Sequence, residues 1–232
     1  MPTQKKNIRQ KLKQWLIYGI LIFVGSTSLV VIILGFIPIN TSAFMIRQHI
    51  TDFQADNGFI SIKQQWTNRD DISPHIFSAV IAAEDQLFYQ HIGFDFNSIY
   101  LALKNKSSGG KLRGASTISQ QVAKNLFLSP SRSLWRKGFE VWFTLLIELF
   151  WSKERILLVY VNIAELGAHL YGVESASQHY FSISAKRLSP HQAALLAASL
   201  PNPAIFRVDN PNKKLIDKQQ WILRQMRNLN YL

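Results

Sequence analysis

Between Lys104 and Lys137 the chain carries eight basic residues, Lys104, Lys106, Lys111, Arg113, Lys124, Arg132, Arg136 and Lys137, and no acidic one. Carboxylates stand at both edges, Glu84 and Asp85 upstream and Glu140 just downstream. A positive window attracts and neutralises a multiply charged anion, and a carboxylate at its edge can take a proton from a hydroxyl. The two halves together outline a phosphate-handling acid/base site.

Each candidate has a plainer reading. Glu84 follows the apolar run VIAA, which would bury its stem; the plainer reading is a helix acid paired with a lysine or arginine. Asp85 points elsewhere on a helix and reads as structural. Glu140 lies in an apolar run and needs a partner, with Arg136 and Lys137 one turn away. The basic window read as a mere solvated face is disfavoured, because it contains no acid with which to pair. Ser108 to Lys111 spells SxxK, but the companion motifs of penicillin-reactive serine enzymes are absent. No Walker loop follows a strand and no histidine pair has metal-ligand spacing, so the six histidines read as structural or surface residues.

These residues must be positioned by helices. Ser73 and Pro74 form an N-cap and first-turn pair that predicts a helix through IFSAVIAAEDQLFY, with Glu84 and Asp85 toward its end. A short helix follows from Phe96 to Lys104, then a Gly/Ser/Lys-rich loop, NKSSGGKLRGAS. Thr117 to Leu126 reads as helix, Ser129 and Pro130 break it, and a long helix starts near Ser133 and runs to Trp151 or beyond. On that helix Ser133, Lys137, Glu140, Thr144 and Glu148 make one polar stripe on an otherwise apolar cylinder. Segments around Ala164 to Tyr180 and Pro190 to Leu200 are Ala-rich and helix-like. No strand alternation stands out, and Thr41 to Trp66 shows no sustained helical stripe.

At the amino end Lys5, Lys6, Arg9, Lys11 and Lys13 precede an uncharged stretch, Leu16 to Ile39. At about 1.5 Å per residue this stretch is long enough to cross a hydrocarbon core of about 30 Å. It exceeds the apolar core of a signal peptide. The expected organisation is a cytoplasmic basic tail (1–15), a transmembrane anchor (16–39), a connector (40–65) and an exported domain (66–232), oriented by the positive flank. The formal net charge is +12, of which the tail supplies five, and the absence of cysteine excludes a disulfide framework and thiolate metal sites.

Read together, EDQLFYQHIGFD (84–95), RGASTISQQVAKN (113–125), RKGFE (136–140) with SKERILLVYVN (152–162), YGVESASQHYF and LSPHQAALLAASLPNP resemble the family 51 peptidoglycan glycosyltransferases, in the family's order. The chain ends at Leu232 without room for a transpeptidase domain, so the resemblance is to the monofunctional branch. Gln86 and Leu87 stand where bifunctional members have an arginine pair, Ala115 where glycine is usual, and Gln192 where a glutamate is frequent.

The resemblance implies a mainly α fold, a lysozyme-like helical lobe with a small membrane-facing jaw, preceded by one transmembrane helix. It implies polymerisation of lipid II into β-1,4 glycan with inversion, in bacterial cell wall synthesis at the inner membrane. Glu84 matches the general base for the acceptor 4-hydroxyl, and Lys124 and Arg132 the holders of the donor diphosphate. Glu140 matches a second essential carboxylate, for positioning or for a divalent cation (Mg or Mn) at the diphosphate; no other cofactor is implied. Ser116, Gln121 and Asn125 match donor-side polar positions, and Arg136 and Lys137 a basic pair. The expected partners are lipid II, the growing lipid-linked glycan, the membrane and other cell-wall synthesis proteins, not nucleic acid. Two rival readings are a lysozyme-like lytic enzyme and a non-catalytic binder of anionic lipid or polymer.

Overall fold

A computed structural model describes residues 2–56, 58–107, 116–130 and 133–232, and the chain forms two compact units, Met1–Ile37 and Pro38–Leu232. The first is a single helix, α1 (Pro2–Leu34), whose portion Gln10–Leu34 is long and apolar enough to span a bilayer. The helix stops before Ile39. The Gly35 N–H is shared between the carbonyls of Val31 and Ile32, the tightening typical of a last turn, and Pro38 cannot continue the ladder.

The second unit is mainly helical, as expected. Its order is α2 (Ala43–Gln54), β1 (Lys63–Gln64), α3 (Pro74–Glu84), α4 (Phe96–Ser107), α5 (Ile118–Phe127), α6 (Leu134–Phe150), α7 (Lys153–Ile163), β2 (Glu165–Gly167), β3 (Leu170–Tyr171), α8 (Val173–Phe181), α9 (Pro190–Ser199) and α10 (Lys213–Asn228). Serine, threonine or asparagine side chains cap most of these helices. Thr117 and Gln120 form a reciprocal capping box on α5, and Ser133 caps α6.

Four elements depart from the sequence reading. The stretch read as connector contains α2, capped by Ser42; its apolar Ile46, Ile50 and Phe53 face solvent while Met45 and the polar Asp52 are buried, so no regular apolar stripe marks it. The helix expected through Tyr89 ends at Glu84, because Asp85 leaves helical geometry and its carboxylate accepts from the Ile118 N–H, at 3.1 Å, at the start of α5. The segment Ala164 to Tyr180 is only partly helical. Its first half supplies β2 and β3 of a three-stranded sheet ordered β1-β3-β2, with β1 parallel and β2 antiparallel to β3. The fourth element is α10, a helix not anticipated from the residues. The Gly/Ser/Lys-rich loop and its SxxK fall mostly on residues 108–115, outside the described residues.

The core forms around α7, where every residue from Ile156 to Ile163 except Leu158 is buried. Helices α3, α9 and α10 pack together, and buried Ala193, Ala194, Ala197 and Ala198 let α9 approach closely. Fully buried Asn162 ties α7 to the approach to α3: its carboxamide accepts from the Thr67 N–H (2.8 Å) and donates to the Thr67 carbonyl (3.0 Å). Beside it, Gly172 has φ +79°, and a Cβ there would lie 2.6 Å from the Asn162 carbonyl oxygen. Gly172→Ala therefore combines left-handed strain with a backbone collision and is expected to destabilise the domain by about 2–3 kcal/mol. Thermal unfolding in detergent checks this; an unchanged midpoint would contradict it.

Candidate active site

Glu84 sits at the last position of α3, where the chain turns away and leaves its side chain at the edge of a cleft of about 440 Å³. Ser116, Leu87 and Trp221 are also in the cleft wall. Gln121, on α5, donates its amide to Glu84 Oε2 at 2.9 Å, and the Tyr160 hydroxyl donates to Gln121 Oε1 at 3.0 Å. Tyr160 is buried, and burial first, then the negative charge of Glu84, hold its hydroxyl well above the usual phenol range, so it stays a donor. This relay fixes one carboxylate oxygen and leaves Oε1 toward the Lys218 ammonium, 3.7 Å away. Glu84 thus has a cationic neighbour as the plainer reading required, and also a fixed orientation in an open cleft.

Lys124 lies in the last turn of α5, directly before Asn125, in a second cavity of about 160 Å³ that shares Gln121 with the Glu84 relay. Its side chain is half-buried, and Nζ sits 5.5 Å from the centre of the Phe44 ring. Burial lowers its pKa first; Glu140 and Glu84 oppose that, while Arg136 and Lys137 add to it. Among the described residues no carboxylate comes within ion-pairing distance of it. Asn125 faces the same cavity, and its Oδ1 is buried without a hydrogen-bond partner. A half-buried ammonium with no ion-pair partner among the described residues is an arrangement that favours an incoming anion.

Glu140 is buried and held by two cations of its own helix, Arg136 at 2.8 Å and Lys137. The basic window is therefore not wholly without an acid partner, since two of its members are committed to Glu140. Thr144 is also buried, its hydroxyl bonded to the Glu140 carbonyl. Glu148 accepts from Ser119 and Lys153. From Glu140 onward the polar stripe of α6 thus faces the protein together with Leu146 and Ile147, while other apolar residues are outward: Leu134 is 91%, Trp135 84% and Leu149 72% exposed. Asp85 is structural, as read: buried, it bonds His91 Nε2 (3.0 Å) and the Ile118 N–H.

Comparison with known proteins gives this constellation a family. The transglycosylase family profile matches residues 54–227. The chain belongs to the transglycosylase family. It is 51% identical over 85% of its length to the biosynthetic peptidoglycan transglycosylase of Haemophilus influenzae, covering 81% of that protein. It is 48% identical to the protein of that name from Chromohalobacter salexigens, over 93% of this chain and 92% of the relative. With the one from Mannheimia succiniciproducens the identity is 47% over 99% and 95%.

In this transglycosylase the structure gathers Glu84 and Ser116 at one cleft, Gln121, Lys124 and Asn125 at a second cavity tied to it by the Gln121–Glu84 hydrogen bond, and Glu140, Arg136 and Lys137 in one ion cluster. Arg132 lies outside the described residues. Sequence reasoning missed Lys218 and Trp221, both on α10, and Tyr160 as the anchor of the Glu84 relay. Tyr160 lay inside a quoted motif. For Lys218 no local signal existed, since its partner stands at the other end of the domain sequence.

Proposed function

We infer that this family member is a peptidoglycan glycosyltransferase that polymerises glycan strands in cell wall synthesis, with lipid II as its substrate. The observation that carries this reading is the pairing of an oriented carboxylate, Glu84, with a half-buried cation, Lys124, that has no ion-pair partner among the described residues, in two cavities linked by the Gln121–Glu84 hydrogen bond. In the proposed step the acceptor 4-hydroxyl enters the Glu84 cleft and gives its proton to Oε1 as its oxygen attacks the donor's anomeric carbon. That carbon inverts and its bond to the lipid diphosphate breaks. Lys124, joined by Arg132, stabilises the negative charge gathering on the departing diphosphate. Trp221 and Leu87 offer the acceptor sugar an apolar wall.

For Glu140 the positioning role is favoured over a metal-ligand role. Both carboxylate oxygens already accept from Arg136 and Lys137, so they do not fit a divalent cation without breaking those pairs. No step is routed through a metal. The exposed apolar face of α6 is assigned to the bilayer, where a lipid-linked substrate resides, and α1 to the membrane anchor, with the basic tail cytoplasmic and the second unit on the outer side. Changing both Trp135 and Leu149 to serine is expected to raise KM for lipid II in vesicles by at least about tenfold, equivalent to ~1.4 kcal/mol, because immersion in the bilayer surface recovers only part of the ~1.5–3 kcal/mol that full burial of each side chain would give. An unchanged KM would remove α6 from the membrane surface.

The function is tested by supplying labelled lipid II and following product size. Polymer that a muramidase degrades supports the reading. Shortening of preformed glycan, with lipid II unconsumed, would favour the lytic rival.

A further inference from the structure

The cavity beside Lys124 has an opposite pole. Glu165, at the start of β2, faces the same space as Lys124 and Asn125. It is half-buried, yet its carboxylate takes part in no hydrogen bond or ion pair among the described residues; its only charged influence is His169, itself bonded to Asp52 at 2.8 Å. Burial pushes its pKa up, the mark of a carboxylate short of partners. Nearby, Asn125 Oδ1 is a buried acceptor without a donor among the described residues, while the half-buried Glu165 carboxylate opens onto the cavity. Buried acceptors left unmet are destabilising unless something else supplies the hydrogen.

The walls narrow what that something is. Phe44, Pro201 and Pro203 line the cavity with apolar surface, and at about 160 Å³ it holds a substituent or a single ring, not a disaccharide. Lys124 is the donor at one end, and the two acceptors call for a group that donates without accepting at the same atom. An amide N–H is such a group, and an acetamido substituent adds a methyl suited to the prolines and the aromatic ring.

We propose that Glu165, with the Asn125 carboxamide, forms an acetamido-recognition subsite that accepts the N–H of the donor sugar's 2-acetamido group while Lys124 holds the adjoining diphosphate. This deepens the glycosyltransferase reading and rests on it. Glu165 acts in binding: it touches no reacting bond, so its loss should appear in KM with kcat little changed.

The test compares wild type, Glu165→Ala and the near-isosteric Glu165→Gln, full-length in detergent, on three substrates. These are lipid II, lipid II lacking its stem peptide, and lipid II whose 2-acetamido groups are replaced by acetoxy, which exchanges N–H for oxygen. Glu165→Ala is expected to raise KM about tenfold, equivalent to ~1.4 kcal/mol, on the first two substrates, and to have no further effect on the acetoxy analogue. Glu165→Gln, which keeps an acceptor, should fall between. An unchanged KM, or the same rise on the acetoxy analogue, overturns the proposal. A rise that disappears without the stem peptide also overturns it, since the donated N–H would then be the peptide's. If wild type polymerises lipid II normally and only the Glu165 result fails, the glycosyltransferase reading stands. If wild type makes no polymer, that reading fails and takes this inference with it.

Discussion

Replacing Glu84 by glutamine is expected to lower the rate of glycan polymerisation by about 10²–10⁴-fold, the range contributed by a positioned general base. Glutamine keeps the size of the side chain and can still meet Gln121, so the relay from Tyr160 survives and the cleft keeps its shape. What is lost is the oxygen able to accept a proton as the acceptor hydroxyl attacks. The loss should fall on kcat, because the acceptor's bonding to the cleft walls is unchanged in the ground state. Initial rates on labelled lipid II check this, and a variant within about threefold of wild type would end the assignment of Glu84 as base.

The second large effect is at Lys124. Lys124→Met preserves the length of the stem and its packing on Phe44 but removes the charge. A preorganised donor facing developing negative charge in a partly desolvated site contributes about 10²–10³ in rate. The same ammonium meets the diphosphate in the ground state, so KM should rise together with the fall in kcat. That joint effect separates Lys124 from Glu84, and a salt-sensitive loss of binding with normal turnover would point instead to the anionic-polymer binder. Arg136 and Lys137 should behave differently again, since each is engaged with Glu140.

Where local chemistry decides the structure, it was legible in the residues. Ser73 with Pro74, and Ser133, each announce a helix start that the backbone obeys, and the segment read as helix from Thr117 does begin there. The spacing of Arg136, Lys137 and Glu140 foretells their ion cluster. Illegible were features whose partner is distant in sequence. The end of α3 is set by an N–H on α5, and β1 pairs Lys63 with Leu170 in strands too short for any alternation to register. Helix α2 escaped notice because most of its apolar residues, Ile46, Ile50 and Phe53, point outward and form no buried stripe. The stripe on α6 was seen, but which side faced the protein depended on the burial of Glu140 and Thr144. At the site, Glu84, Gln121 and Lys124 were named from their motifs, while Lys218 and Glu165 come to the cavities through tertiary packing alone.

The central claim is that one carboxylate performs the proton transfer on a substrate that other groups bind. The most direct measurement takes a single preparation of the Glu84→Gln protein beside wild type and records both equilibrium binding of labelled lipid II and its conversion to polymer. The account predicts binding indistinguishable from wild type with almost no polymer. Polymer at the wild-type rate, or the loss of binding and turnover together, would contradict it.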